Sequence, residues 1–257
     1  MLNLNQEAET SYLPFPVMKL QYIFSDEFFD DLVASFPTPQ KMYKADDSDT
    51  HGERWYLSPS RDKQKNQTLF RDFVHSNQCW QSLLTYLNSK EFITSILDLW
   101  CNVDCDPAVS FTQFSLVQRA KFAITTGNLN YLTNNPNRLH TTVTLSSLPF
   151  GGGLIPHSDG KDKLVTLLFA MNNPANWDPS LGGHTAICEA INPLKSFNRI
   201  NYSLEFNEVV NTRLIEHRPN NLVMFLKTHN SLHSVPIVPE STNFPYRQSL
   251  LVNIYKR

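Results

Sequence analysis

Gly151-Gly152-Gly153-Leu154-Ile155-Pro156-His157-Ser158-Asp159-Gly160, followed after two residues by Lys163-Leu164-Val165-Thr166-Leu167-Leu168, is the stretch on which the reading of the chain turns. Three consecutive glycines let the backbone turn tightly, and no Lys-Ser/Thr pair or helix start follows to make them a phosphate loop. The residues after them read as extended chain. In such a segment, side chains two apart project to the same side, so an imidazole at His157 and a carboxylate at Asp159 converge on one point.

Outward from this stretch the same pattern continues. Beyond Pro107, short β-like runs are separated by Asn, Gly and Pro: Phe111 to Ile124, Leu139 to Leu145, Leu164 to Met171, His184 to Cys188, Val209 to Ile215, Leu222 to Leu226, Ser234 to Val238 and Gln248 to Tyr255. Many short strands with turn punctuation predict an antiparallel sandwich or barrel. The first hundred residues read differently, as helices. Ser25 can cap a helix carrying Phe28, Phe29, Leu32, Val33 and Phe36 on one face before Pro37. The helical period returns from Leu69 to Trp100, with Ser89 as the cap that separates the last two helices, while residues 38–67 read as an irregular surface excursion around Trp55 and Tyr56. The expected fold class is therefore mainly β with helices (α+β), the helices covering one face of the sheet.

His-x-Asp needs a third ligand, and His233 offers it at the head of the run Ser234-Val235-Pro236-Ile237-Val238. His229 is a rival four residues earlier. Pro236 and the β-branched residues after His233 favour an extended path over a helix that would put both imidazoles on one face, so His233 is preferred and His229 becomes a pocket candidate. Two neutral imidazoles and one carboxylate leave coordination positions open, which is the facial arrangement used in non-haem iron(II) oxygen chemistry. Farther on, Arg247 and Ser249 share a face at the start of the apolar strand Leu250-Leu251-Val252-Asn253-Ile254-Tyr255, a guanidinium with a hydroxyl beside it, suited to capture of a carboxylate.

The order His157-x-Asp159, Lys163 to Leu168, Trp177, Gly182-Gly183, His233-Ser234-Val235-Pro236 and Arg247-x-Ser249 resembles the catalytic half of Fe(II)/2-oxoglutarate-dependent oxygenases, especially the prolyl 4-hydroxylase-like branch, over roughly residues 139–255. The resemblance implies a double-stranded β-helix (a cupin-like jelly roll) over residues 107–257, with residues 1–106 as helical support and variable loop of a single oxygenase domain. It implies that His157, Asp159 and His233 hold Fe(II) and that Arg247 with Ser249 anchors 2-oxoglutarate. Dioxygen would be the third reactant and succinate and CO2 the co-products of C–H hydroxylation. The tyrosine that members often place before the first metal histidine or on the preceding strand is replaced here by Leu154, Ile155 and Pro156, and the upstream strand offers Arg138, His140 and Thr142, of which Thr142 is the candidate second co-substrate contact. Asp159 stands where related halogenases have a small residue, which favours oxygen transfer.

Arg138, His140, Lys161, His184, His229 and Trp55 are the remaining substrate-pocket candidates. A cupin-like protein binding a metal or sugar is the competing class, and Arg247 argues against it. The 257 residues carry 22 Lys+Arg against 24 Asp+Glu, a net charge of −2, so composition gives no electrostatic basis for binding nucleic acid or an anionic membrane. With 41% hydrophobic and 12% aromatic residues the chain can bury a large core. Residues 1–12 lack the basic start and apolar run of a signal peptide, and Cys79, Cys101, Cys105 and Cys188 form no zinc spacing, so reduced thiols in a soluble cytoplasmic protein are expected. A small-molecule substrate such as an amino acid is preferred, with a peptide residue as the alternative.

Overall fold

The computed structural model describes residues 2–45, 50–59, 64–101, 139–160, 162–195, 202–228, 230–238 and 246–256. Alternation along its last strand, Tyr246–Lys256, organises the rest: Leu250, Val252 and Ile254 enter an apolar core on one side, while Arg247, Ser249, Leu251, Asn253 and Tyr255 line a cavity on the other. The strands beside it repeat the pattern. In Lys163–Ala170, Val165, Leu167 and Phe169 face the core and Thr166 and Leu168 the cavity; in Leu139–Pro149, Val143 and Leu145 face the core and Thr144 and Ser146 the cavity.

In chain order the strands are β1 (Glu9–Ser11), β2 (Val17–Leu20), β3 (Tyr43–Lys44), β4 (Thr50–His51), β5 (Trp55–Leu57), β6 (Leu139–Pro149), β7 (Gly153–Ser158), β8 (Lys163–Ala170), β9 (Thr185–Ala190), β10 (Tyr202–Ser203), β11 (Val209–Ile215), β12 (Leu222–Leu226), β13 (His233–Val235) and β14 (Tyr246–Lys256). They form two antiparallel sheets. One has eight strands in the order β1-β2-β12-β8-β14-β6-β5-β3; the other has the order β10-β7-β13-β9-β11, with β4 also pairing β7. The helices are α1 (Asp26–Ala34), α2 (Gln64–His75), α3 (Gln78–Leu87) and α4 (Lys90–Cys101). Phe29 and Leu32 of α1, Trp80, Leu83 and Leu87 of α3, and Phe92 and Ile96 of α4 share one core with the outer face of the eight-stranded sheet. Ser89 does cap α4, its Oγ accepting the Phe92 N–H at 3.1 Å.

The expectation of a helical first hundred residues holds for α1–α4 and fails before α1 and between α1 and α2. β1, β2 and β5 belong to the large sheet, and β4 to the small one. These strands are two to four residues long. That is too short for any hydrophobic period to show, and their conformation comes from pairing with strands far along the chain, β2 with β12 and β5 with β6. The described residues of 38–67 are accordingly not an irregular excursion, since they carry β3, β4, β5 and the start of α2. The strand expected at Ser234–Val238 is His233–Val235, stopping where Pro236 has no N–H to donate. The run Phe111 to Ile124 and the residues Cys105, Arg138, Lys161 and His229 lie outside the described residues. No helix among the described residues is long and apolar enough to cross a membrane.

Candidate functional site

β7 and β13 are neighbours in the smaller sheet, and their register sets His157 directly opposite His233, with ring centroids 4.4 Å apart. Asp159 comes one residue after β7 ends. The glycine turn makes this possible: a Cβ at Gly153 would sit 2.9 Å from the Val235 carbonyl oxygen, so only glycine lets β13 approach β7 this closely at that level. One ligand atom from each of His157, Asp159 and His233 can be chosen so that all lie within 4.8 Å of one another.

Hydrogen bonding fixes which atoms face the common point. His157 Nδ1 is 2.8 Å from the Ile155 carbonyl oxygen and His233 Nδ1 is 3.0 Å from that of Ser231. A carbonyl only accepts, so each Nδ1 carries the proton and each Nε2 presents a lone pair, the tautomer that a metal-binding histidine needs. Burial, then the neighbouring His157, pushes the His233 imidazolium down to about 3, so the ring is neutral at physiological pH. Asp159 is buried too. Burial alone would raise its carboxyl, but the Lys163 ammonium, the adjacent His233 and His157 rings and the Lys163 hydrogen bond outweigh it and hold the group well below the usual carboxylate range. Lys163 Nζ donates to Asp159 Oδ1 at 2.5 Å and Thr166 Oγ1 to Oδ2 at 2.8 Å, which orients the carboxylate. Two imidazoles presenting Nε2 and an ionised, oriented carboxylate suit a divalent first-row metal with positions left open.

These groups border a cavity of about 650 Å³ between the two sheets, which Arg247 and Ser249 also line. Arg247 is buried, its Nε donating to the Gly183 carbonyl at 2.6 Å and its Nη1 reaching Ser249 Oγ at 3.5 Å. Its Nη2 is buried with no hydrogen-bond partner among the described residues. Burial, and then the charge of Arg54, push the Arg247 guanidinium down to about 9, the electrostatic state of a cation that an anion would relieve. Gly183 seats this side chain: its φ of +68° favours glycine, and a Cβ there would meet Arg247 Cδ at 3.2 Å.

Of the other residues singled out from the sequence, Thr142 and His140 line the cavity, His140 stacking on Tyr255 with centroids 5.7 Å apart. Trp55 does not. It packs against the helical core and meets Tyr246 edge-on at 5.8 Å, because successive residues of a strand face opposite ways and the cavity takes its neighbour Arg54. His184 is likewise replaced in the lining by Thr185. Arg54, Lys163 and Thr166 also line the cavity, and none of them was among the pocket candidates chosen from the sequence. Lys163 and Thr166 could have been found from the Asp159 turn, since the chain returns along β8 beside it.

No family model and no curated protein matches the chain. Among solved structures it is similar to a prolyl-4-hydroxylase of Pseudomonas putida, at 12% identity over 94% of this chain and 92% of that one with a TM-score of 0.43. It is also similar to a prolyl hydroxylase of Trichoplax adhaerens in complex with a hypoxia inducible factor peptide fragment, at 12% identity over 93% and 83% with a TM-score of 0.45. A third is SnoN, a non-heme alpha ketoglutarate dependent epimerase from nogalamycin biosynthesis, at 12% identity over 93% and 76% with a TM-score of 0.46. Likeness at this level leaves the meaning of the site to its own geometry.

Proposed function

We propose that the chain is an Fe(II)- and 2-oxoglutarate-dependent oxygenase of the prolyl 4-hydroxylase-like kind, with a jelly-roll core, that hydroxylates a C–H bond of a small molecule. The observation that carries this reading is the pairing, in one cavity, of two imidazoles with their Nε2 atoms freed and a buried guanidinium with an unpartnered Nη2. His157, Asp159 and His233 are the residues that would hold the metal. Iron and 2-oxoglutarate, when bound, supply the oxidising power, with dioxygen consumed and succinate and CO2 released.

The protein's own share is positioning. The Ile155 and Ser231 carbonyls hold the imidazole rings, Lys163 and Thr166 hold the carboxylate, and Arg247 with Ser249 receives the distal carboxylate of the 2-oxo acid. Thr142 is a further hydroxyl on the same wall. A cavity of about 650 Å³ suits a metabolite-sized ligand and supports the small-molecule preference. Arg54, from the N-terminal part of the chain, lines it together with Arg247, which supports reading residues 1–257 as one oxygenase domain.

The test is anaerobic titration of Fe(II) and 2-oxoglutarate into the protein, watched for the visible charge-transfer band of the chelated keto acid. A band in the wild type that needs far more 2-oxoglutarate in Arg247→Ala is the expected result. Metal binding without any band would overturn the reading in favour of a cupin-like binding protein.

A further inference from the structure

A polar side chain stands in the middle of an apolar strand. In Leu250-Leu251-Val252-Asn253-Ile254-Tyr255, Asn253 is on the cavity face, with Leu251 before it and Tyr255 after it. It is 5% exposed, and its Oδ1 is buried with no hydrogen-bond partner among the described residues. A buried amide oxygen without a donor has lost its water and gained no bond in exchange, so for packing alone a leucine would serve the strand better.

Register places this amide relative to the anchors of both cofactors. Asn253 pairs with Thr142 of β6 and with Thr166 of β8, so the three side chains form one row across the sheet, and all three line the cavity. Thr166 Oγ1 donates to Asp159 Oδ2 at 2.8 Å, which sets the row level with the cluster of His157, Asp159 and His233. Arg247 stands six residues back along β14 (253 − 247), roughly 20 Å at the rise of an extended strand. A 2-oxo acid reaching from Arg247 toward the cluster passes Leu251 and its neighbours Thr144 and Leu168, and leaves the Asn253 row to the other reactant.

We propose that Asn253 is a specificity-determining residue that binds an uncharged amide of the hydroxylated substrate, close to the carbon that reacts. The inference rests on the function proposed above. An asparagine side chain offers one acceptor and two donors in a single plane, and another amide answers it with both of its own groups. Charged groups fit this row less well. The carboxylate among the described lining residues, Asp159, is engaged by Lys163 and Thr166, so a substrate ammonium would find no counter-charge here. A substrate carboxylate would be drawn to the Arg247 corner, away from the cluster. Thr142, across from Asn253 on β6, adds a hydroxyl that can donate or accept.

The experiment uses the full chain loaded with Mn(II) and 2-oxoglutarate, and reads the paramagnetic relaxation that Mn(II) confers on the acetyl methyl protons of two probes, acetamide and N,N-dimethylacetamide, the second lacking any N–H. In the wild type acetamide should be relaxed several-fold more strongly. Asn253→Leu, similar in volume and apolar, should cut the acetamide effect by about fivefold or more, to the level of the dimethyl compound, and leave 2-oxoglutarate affinity within about twofold. Asn253→Thr should recover part of the effect through its hydroxyl. Thermal melts should place Asn253→Leu at or above the wild type, because the unpaired oxygen is gone. An unchanged acetamide effect in Asn253→Leu, or an equal loss for both probes, would overturn the inference, and a large loss of 2-oxoglutarate affinity would overturn it by assigning Asn253 to the co-substrate. A wild type that takes up Mn(II) and no 2-oxoglutarate would instead overturn the oxygenase reading itself.

Discussion

His157 and His233 are cross-strand partners, one at the end of β7 and one at the start of β13, with ring centroids 4.4 Å apart and each Nδ1 tied to a carbonyl two residues before it in its own chain segment. Ring position and tautomer are thus set by backbone. His157→Ala or His233→Ala should lower Mn(II) or Fe(II) affinity by at least roughly a hundredfold, read by competition with a coloured chelator, while far-ultraviolet circular dichroism stays unchanged.

Removing the metal should lower thermal stability in the wild type. A ligand that binds only the folded state stabilises it by about 2.7 kcal/mol at a hundred times its dissociation constant. Chelation should therefore shift the melt downward in wild type and leave that of His233→Ala where it is, as differential scanning calorimetry would show.

Asp159 and Lys163 form an ion pair with side chains 9% and 8% exposed. Taking away one partner leaves the other charge buried, a loss of about 3–5 kcal/mol in such pairs. Asp159→Ala should thus both abolish metal binding and destabilise the chain in urea titrations. Lys163→Met should keep the metal ligands and, because it leaves the Asp159 carboxylate buried without its ammonium, destabilise the metal-free chain by a similar amount, a loss that bound metal offsets.

Gly183→Ala should act on Arg247 at a distance. The positive φ costs a side chain roughly 1–2 kcal/mol, and the added methyl presses on Arg247 Cδ. The expected result is several-fold weaker 2-oxoglutarate binding with metal affinity unchanged, a separation that isothermal titration can resolve.

His217 supplies a pH dependence. Its Nε2 is 3.0 Å from both Asn172 Oδ1 and the Gln248 carbonyl, so it is the protonated nitrogen, and burial followed by the Arg247 charge holds the imidazolium well below its ordinary range. Below about pH 6.5 the unfolded chain takes up a proton that the folded ring refuses. Stability should be full above that value and fall as the pH drops through it, by up to about 1.4 kcal/mol per pH unit. Urea midpoints between pH 8 and 5 should show this slope in wild type and a shallower one in His217→Gln.

Much of the site was legible in the sequence because its parts are local. His157 and Asp159 are fixed by the two-residue period of a strand, and Arg247 with Ser249 by the same rule on β14, where Leu250, Val252 and Ile254 mark the opposite face. The helices α1–α4 were legible from their apolar stripes and from Ser89. What escaped was everything made by pairing across the chain. β2 and β5 are too short to carry a pattern, and Arg54 gains its place only because Trp55 pairs with Ser147. Trp55 itself misled, since a large aromatic in a polar stretch reads as a pocket residue until the strand direction turns it toward the helices.

β2 lies against β12, Leu20 facing Leu222 near the opposite end of the chain. Such a pairing has among the largest sequence separations this chain allows, and contacts of that kind are slow to form because loop closure precedes any gain from them. During synthesis β12 emerges some 202 residues after β2 (222 − 20), so β2, with only β1 beside it, waits for its second partner while that length of chain is made. The large sheet is therefore completed late, and an N-terminal deletion through Leu20 would leave β12 as a bare edge open to pairing with another chain.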